Sequence, residues 1–126
     1  MLAQFRDYLK TLNVARYYYI GKIENSKEYA LGVYSNPHLR RVEAIGKVST
    51  YDVAGFRLLL HWNRNEKETE IAARELYQKI RYITETEMDD VYVYYIDIDD
   101  GEPVFVGTDD NGVYEYHISG TIYYGR

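Results

Sequence analysis

Residues 56–62 read Phe-Arg-Leu-Leu-Leu-His-Trp, and this stretch decides the fold because it fixes one strand and leads into the clearest helix of the chain. Apolar side chains occupy alternate positions from Phe56 to Trp62, which is the two-residue period of a β-strand. The positions between them, 57, 59 and 61, fall on the opposite face. We therefore predict a strand with one buried face over these residues.

A helix follows this strand, and its start and its buried side can both be read from the residues. Asn65 is placed to cap the first amides, and Glu68 three residues later completes a capping-box-like pair. Acidic residues gather at the amino-terminal end and basic residues near the carboxyl-terminal end, as the helix dipole favours. Two pairs have the i,i+4 spacing of surface ion pairs: Glu70–Arg74 and Glu75–Lys79. The predicted buried stripe contains Ala72, Ala73, Leu76, Ile80 and Ile83.

The residues before this unit predict a second helix and a pair of strands. Leu2, Phe5, Leu9 and Leu12 recur at steps of three and four residues, which predicts an amphipathic helix that ends near Asn13. Residues 17–23 and 29–34 read as strands, and the turn-type residues 24–27 between them predict a hairpin. Residues Ser35 to Ala54 are less regular. We interpret them as a projecting loop or arm, in which Leu39 to Val48 could include a short edge strand.

The residues after the central helix predict three further strands joined by turns. Residues 91–98 are apolar on both faces until Asp97, so this strand is predicted to lie centrally. A short strand over residues 103–107 and a last strand over residues 113–124 complete a meander. Asn111-Gly112 favours a tight turn between them, because both residue types tolerate positive φ angles. The fold class predicted from this order is α+β: one domain, residues 1–126, with a mixed, mostly antiparallel β-sheet and two α-helices packed on one face.

Composition excludes several classes of site and leaves a marked asymmetry of charge. The chain has no cysteine, which excludes disulfides, thiolate zinc sites and cysteine nucleophiles. No apolar run reaches the roughly 18–20 residues that cross a bilayer, and we see no secretion signal, so a soluble protein is expected. Residues 1–83 hold 14 Lys/Arg and 9 Asp/Glu, whereas residues 84–126 hold 1 and 11. A subunit with a basic side and an acidic side, able to meet head to tail, is one interpretation of this asymmetry; two ordinary solvated faces are the other.

Sixteen tyrosines are the other compositional anomaly. Aromatic residues are favoured in sheets, and tyrosine combines a large apolar ring with a polar tip that suits contact surfaces. We therefore expect most of the tyrosines in strands, and we expect some of them to serve contact with a partner.

Motifs that would carry chemistry are absent or incomplete. None of His38, His61 and His117 sits in a metal-binding local pattern, although His61 and His117 could approach each other on neighbouring strands. The acidic loops fail the calcium-loop spacing, and no nucleophile elbow or phosphate loop occurs. Neither an enzyme nor a cofactor is therefore predicted. Nucleic-acid binding through Arg40, Arg41, Arg57 and Arg64 is a rival interpretation, which the net charge of −5 disfavours.

The arrangement resembles the small tail-terminator and tail-completion proteins of tailed phages, including the phage minor capsid proteins. The likeness rests on the short N-terminal helix, on the strand at Gly55–Trp62 that runs into a helix, and on the stretch Pro103–Gly112, PVFVGTDDNG, before a last strand that ends Ile122-Tyr123-Tyr124. It covers nearly the whole chain. The resemblance implies a sheet packed with helices and a structural protein of the virion whose relatives commonly assemble as hexameric rings.

The resemblance also implies partners and a location. The expected partners are further copies of the chain in a ring, the tail tube protein and the head connector or neck protein, with no membrane and no specific nucleic acid. The expected location is the host cytoplasm during assembly and then the tail–head junction of the virion. A neck or head-completion protein of the same particle, or a small ligand- or nucleic-acid-binding module, remains the alternative. Charge suggests one subunit interface as a hypothesis, with Arg40 and Arg41 meeting acidic loops of the next subunit at Asp99, Asp100, Asp109 and Asp110.

Overall fold

The computed structural model describes residues 1–23, 27–37 and 51–125 of the 126-residue chain. They form two helices and one seven-stranded sheet. The elements in chain order are α1 (Leu2–Thr11), β1 (Tyr17–Ile20), β2 (Ala30–Ser35), β3 (Asp52–His61), α2 (Glu66–Arg81), β4 (Thr84–Met88), β5 (Val91–Ile98), β6 (Val104–Thr108) and β7 (Tyr114–Gly125).

The sheet has the order β1-β2-β3-β7-β5-β4, and β6 pairs with β7 beside this path. Every pairing among the described strands is antiparallel except the parallel pairing of β1 with β2. The α+β fold class predicted from the sequence is therefore confirmed.

One hydrophobic core joins both helices to the same face of the sheet. The rings of Phe5 in α1 and Phe56 in β3 meet edge to face with centroids 5.0 Å apart, and both residues are fully buried. Ala73, Leu76 and Ile80 of α2 are buried in the same cluster. The period-two pattern of residues 56–62 and the helical stripe of α2 face each other across this core, as the sequence predicts.

Asn65 caps α2 as predicted, but the second hydrogen bond of the predicted capping box has a different acceptor. Asn65 Oδ1 accepts a hydrogen bond from the Glu68 amide at 3.1 Å. The Glu68 carboxylate accepts from Asn63 Nδ2, and the Asn65 amide donates to Asn63 Oδ1 at 2.9 Å. The buried Asn63 side chain thus stands where a capping box would place Glu68.

Of the two ion pairs predicted along α2, Arg74 and Glu70 lie 3.9 Å apart. Lys79 instead donates to the carbonyl oxygen of Leu12 at 3.1 Å. This bond ties the end of α2 to the end of α1.

The predicted hairpin over residues 17–34 is wrong, because β1 and β2 run parallel with Tyr17 beside Ala30. The amides of Arg16 and Tyr17 both donate to the carbonyl oxygen of Tyr29, and the Gly21 amide donates to that of Val33. The chain therefore returns to the start of β1 before β2 begins, and Tyr29 adopts a φ of 58° at that point. The alternation of apolar residues is the same in both arrangements, so it cannot fix the direction of pairing.

The predicted arm over Ser35 to Ala54 is shorter than expected at both ends. Ser35 is the last residue of β2, and β3 already begins at Asp52. Asp52, Val53 and Ala54 pair in register with Tyr124, Tyr123 and Ile122 of β7. The stretch Leu39 to Val48 lies outside the described residues.

The C-terminal half differs from a simple meander. The sequence predicts no strand at β4, because four of its five residues are Thr or Glu and only Met88 is apolar. This strand pairs with β5. The 12-residue β7 is long enough to pair with two strands end to end on one edge: Val104 to Thr108 of β6 lie beside His117 to Tyr114, and Tyr92 to Ile98 of β5 lie beside Gly125 to Gly120. β5 lies between β7 and β4, so it is an interior strand as predicted, but it is next to the edge of the sheet and its Tyr94 and Tyr95 are exposed.

The tight turn before β7 is confirmed, although of Asn111 and Gly112 only Gly112 has a positive φ. The Gly112 amide donates to the Asp109 carbonyl oxygen at 3.1 Å, and Gly112 has a φ of 79°, which favours glycine. Asp109 Oδ1 also accepts from the amides of Asn111 and Val113. An aspartate side chain therefore closes the turn from inside.

Candidate assembly interface

The acidic residues proposed for the subunit interface lie at the two ends of β6. Asp99 and Asp100 precede β6, and Asp109 and Asp110 follow it. The Asp99 amide donates to the Ser119 carbonyl oxygen and the Asp109 amide to that of Val113, so the two loops are separated by about six residues of β7, or about 20 Å. The structure therefore presents two acidic loops that bracket one strand. Arg40 and Arg41 lie outside the described residues.

The first acidic loop has a fixed backbone and exposed charges. Besides the Asp99 bond to Ser119, the Asp100 carbonyl oxygen accepts from the Tyr77 hydroxyl of α2 at 2.9 Å. Both aspartates are exposed. Charge held in place in this way is suited to fixing the register of a partner.

The second loop divides its two aspartates between different tasks. The Asp109 carboxylate is engaged within the chain, because Oδ1 closes the turn and Oδ2 lies 2.7 Å from His61 Nε2. Burial alone would raise the pKa of Asp109, but its hydrogen bonds from His61, Val113 and Asn111 outweigh burial and lower it. Asp110 is exposed at the tip of the turn. Of this pair, Asp110 is the charge that faces outward.

His61 is buried, although the sequence places it on the face of β3 opposite the predicted buried face. It is 3 % exposed, and its Nδ1 lies 2.7 Å from the Lys27 carbonyl oxygen. Its neighbour across β7 is Glu115, whereas His117 lies opposite Leu59. The two histidines are therefore diagonal neighbours on one face of the sheet, and the ring nitrogens of His61 are engaged by Lys27 and Asp109. Among residues 1–23, 27–37 and 51–125, no group of three or more His, Asp or Glu is placed to hold a metal ion.

Two groups beside His61 have perturbed ionisation for structural reasons. Burial raises the pKa of Glu115; the charge of His61 opposes this, and the charge of Asp109 adds to it. Burial and the nearby Arg57 lower the pKa of His117, while Asp100 acts in the opposite sense. Both groups lie on the sheet face that carries no helix, on the same strand as the buried Ser119 and Thr121. The face of the sheet that carries no helix is thus partly closed to solvent.

A groove of about 380 Å³ lies between α2 and β6. Its lining residues are Glu70, Arg74, Glu102, Pro103, Val104, Phe105 and Tyr116. Phe105 packs edge to face on Tyr116 at 5.3 Å and yet remains 50 % exposed, and Val106 beside it is 51 % exposed. Arg74 is held by Glu70 and by Glu102 at 3.5 Å. This groove therefore combines exposed apolar side chains with an excess of carboxylates.

The tyrosines fall mostly in the sheet, as composition predicts. Eleven of the 16 lie in the described strands. One partly exposed cluster lies on β5 and β7, where the rings of Tyr95 and Tyr123 stack 4.5 Å apart. Tyr51 and Tyr94 complete a groove of about 310 Å³ with them. Rings held in contact with one another lose little freedom when a partner covers them, so this cluster suits a contact surface.

Comparison with protein families identifies what this fold is used for. The model of the bacteriophage tail terminator protein family matches residues 6–124, which is nearly the whole chain. The chain belongs to this family. It is therefore a structural protein of the phage tail and a component of the virion that contacts other tail and head proteins. The resemblance drawn from the sequence is thereby confirmed.

The other comparisons add no relative. No curated protein matches the chain, and no solved structure matches it. Within the described part of the chain, neither helix is long and apolar enough to cross a membrane.

Proposed function

We propose that this tail terminator forms a homo-oligomeric ring, a hexamer as the resemblance implies, that caps the tail tube and joins the tail to the head. One face of such a ring must match the last ring of the tube. The opposite face must not be complementary to another tube subunit, so that growth of the tube stops. The same face must bind the head connector or neck protein. The ring would assemble in the host cytoplasm and remain at the tail–head junction.

The observation that supports this proposal is the distribution of charge across the sheet. Strands β4 to β7 come from residues 84–125, which contain 11 Asp and Glu and no Lys or Arg. Strands β1 to β3 contain one basic and one acidic residue, Arg57 and Asp52, and the cations Arg16, Lys22 and Lys27 flank β1. The sheet order places β1 at one edge and β4 at the other. We infer that the subunit has an acidic side at β4 to β7 and a more basic side at β1.

Opposite charges on opposite sides favour a head-to-tail contact between copies. A contact in which one patch meets a different patch closes into a ring when its rotation closes. Complementary charge accelerates encounter and fixes register more than it adds affinity. We propose that the acidic loops at Asp99–Asp100 and Asp109–Asp110 receive Arg40 and Arg41 of the neighbouring subunit. Because Asp109 is engaged with His61, the outward charges of this contact are Asp99, Asp100 and Asp110.

No catalytic step or cofactor is part of the proposal. Near His61, Asp109 closes the turn after β6, and Glu115 and His117 lie on β7 where it pairs with β3. We assign these groups a structural task.

Adding the protein to growing tail tubes tests the proposed function. Tubes that stop at a defined length and then accept heads are the expected result, and tubes that continue to grow or never accept heads would contradict it. Charge reversal by Arg40→Glu with Arg41→Glu should reduce the ring-sized particle seen by light scattering, whereas Lys67→Glu on the exposed side of α2 should not. If the double variant forms particles of the same size as the wild-type protein, Arg40 and Arg41 do not belong to the interface, but the proposed ring stands.

A further inference from the structure

The registers of the sheet place two free edges at the same height on opposite sides of the subunit. Following the pairings across the sheet, Tyr18 of β1 is in line with Leu31, Leu60, Tyr116 and finally Phe105 of β6. Five strands therefore lie side by side at this level, from β1 to β6, which spans about 19 Å. Among the described residues, β1 pairs only with β2 and β6 only with β7.

The two edges also run in compatible directions. β1 is parallel to β2, β2 and β7 are each antiparallel to β3, and β6 is antiparallel to β7, so β6 is antiparallel to β1. A second copy, moved sideways at the same height, would bring its β1 edge against β6 in the antiparallel sense. A contact without a step in height is what a closed ring needs, whereas a step would give an open helix.

Both edges expose apolar side chains. In β1, Tyr17 is 41 % exposed and Ile20 is 43 % exposed. In β6, Phe105 and Val106 are each about half exposed, and the register shift after Phe105 is a bulge at Val106. A bulge limits pairing to a short part of an edge, which opposes uncontrolled growth of the sheet.

Charge is complementary at both ends of these two strands. Arg16 and Lys27 are exposed at the start of β1, where Lys27 lies over the Tyr17 ring at 5.1 Å, and Lys22 is exposed just beyond its end. In the antiparallel sense, the start of β1 is level with the turn at Asp110 and the end of β1 is level with Asp100 and Glu102. Residues 14–23 and 27–37 contain one acidic residue, Glu28, against these three cations.

We propose that the β1 edge of one subunit docks on β6 of the next, with Tyr17 and Ile20 against Phe105 and Val106 and with the cations at both ends of β1 against the two acidic loops. This inference rests on the proposed ring and names the surface that closes it. The docking leaves the tyrosine groove on β5 and β7 uncovered and available to another virion protein.

Two variants that each remove one side of the contact test this docking. The basic-edge variant is Lys22→Glu with Lys27→Glu, and the acidic-edge variant is Asp100→Lys with Asp110→Lys. Each should raise the concentration needed for assembly by about tenfold or more in sedimentation velocity, because like charges then meet across the contact. The matched controls are Lys67→Glu on α2 and Glu87→Lys on β4, and both should assemble like the wild-type protein. Circular dichroism checks that every variant is folded.

Mixing the two variants gives a result that only a head-to-tail contact produces. The basic-edge variant keeps its intact β6 side, and the acidic-edge variant keeps its intact β1 side. In an equal mixture, one contact joins the two unchanged edges and the next joins the two reversed edges, whose charges are again opposite. The mixture should therefore restore the ring-sized particle that neither variant forms alone. A mixture that forms no rings, or normal rings from either variant alone, would overturn this docking while leaving the ring intact. If the wild-type protein stays monomeric both at high concentration and on tail tubes, the proposed ring itself would be overturned.

Discussion

His61 Nε2 lies 2.7 Å from Asp109 Oδ2, and the same ring reaches the Lys27 carbonyl oxygen through Nδ1 at 2.7 Å. A carbonyl oxygen can only accept, so Nδ1 donates that bond. The buried imidazole thus joins the residues before β2, the end of β3 and the turn after β6. It fixes the backbone on the basic side of the proposed contact and the turn on its acidic side.

Replacing Asp109 by alanine should destabilise the fold strongly. The change removes the partner of a buried histidine and the acceptor of two turn amides, and we expect a loss of about 2–4 kcal/mol in the free energy of unfolding. Asp110→Ala, one residue further at the exposed tip, should change it by less than about 0.5 kcal/mol. Urea denaturation of the two variants measures the difference. Equal values for both would show that Asp109 contributes no more than a surface charge.

The lowered pKa of Asp109 predicts a specific loss of stability in acid. A carboxyl group whose pKa is lower in the folded state stabilises the fold fully above its unfolded pKa of 3.8, and this contribution disappears as the pH falls through the folded value. The difference in melting temperature between the wild-type protein and Asp109→Asn should therefore be present at pH 5 and should shrink below about pH 4. A difference that is independent of pH down to the acid limit would exclude this ionisation as its source.

The elements with strong local signals could be predicted from the sequence. The alternation at residues 56–62, the Asn65 cap and the turn at Gly112 each depend on contacts within a few residues, and each is present as predicted. The sheet order was not accessible in this way. Parallel pairing of β1 with β2, and the sharing of one edge of β7 by β5 and β6, depend on contacts between distant residues that leave the alternation unchanged.

The sequence indicates which charged residues the candidate interface contains, but it does not indicate how they are arranged. The acidic loops were recognisable from Asp99, Asp100 and Asp110, but nothing local indicated that Asp109 would turn inward to a histidine 48 residues away. The common height of β1 and β6 is a property of four successive strand registers. The common height of β1 and β6 cannot be predicted from the sequence unless the register of every intervening strand pair is already known.

Asn63 supports the start of α2 in a way that the capping pattern missed, and its removal should be costly. Its side chain, in a residue that is 6 % exposed, accepts from the Asn65 amide and the Thr69 hydroxyl and donates to Glu68. We expect Asn63→Ala to lower the free energy of unfolding by about 1–3 kcal/mol. The control Gln78→Ala, on the exposed side of the same helix, should be neutral within about 0.5 kcal/mol. Thermal unfolding that ranks Gln78→Ala as the more harmful change would contradict this role.

Gly120 lies where three strands meet without space for a side chain. It pairs with Phe56 of β3 on one edge and with Ile98 of β5 on the other, and an added Cβ would lie 2.9 Å from the Phe56 ring and closer still to the Asp97 carbonyl oxygen. The backbone cannot yield there without opening the pairing of β5 with β7. Gly120→Ala should therefore cost about 3 kcal/mol or more of unfolding free energy. Gly101→Ala, where an added Cβ meets nothing within 4 Å, should cost less than about 0.5 kcal/mol. Chemical denaturation of the two alanine variants distinguishes these values, and a fully stable Gly120→Ala protein would show that β5 does not close on β7 at this position.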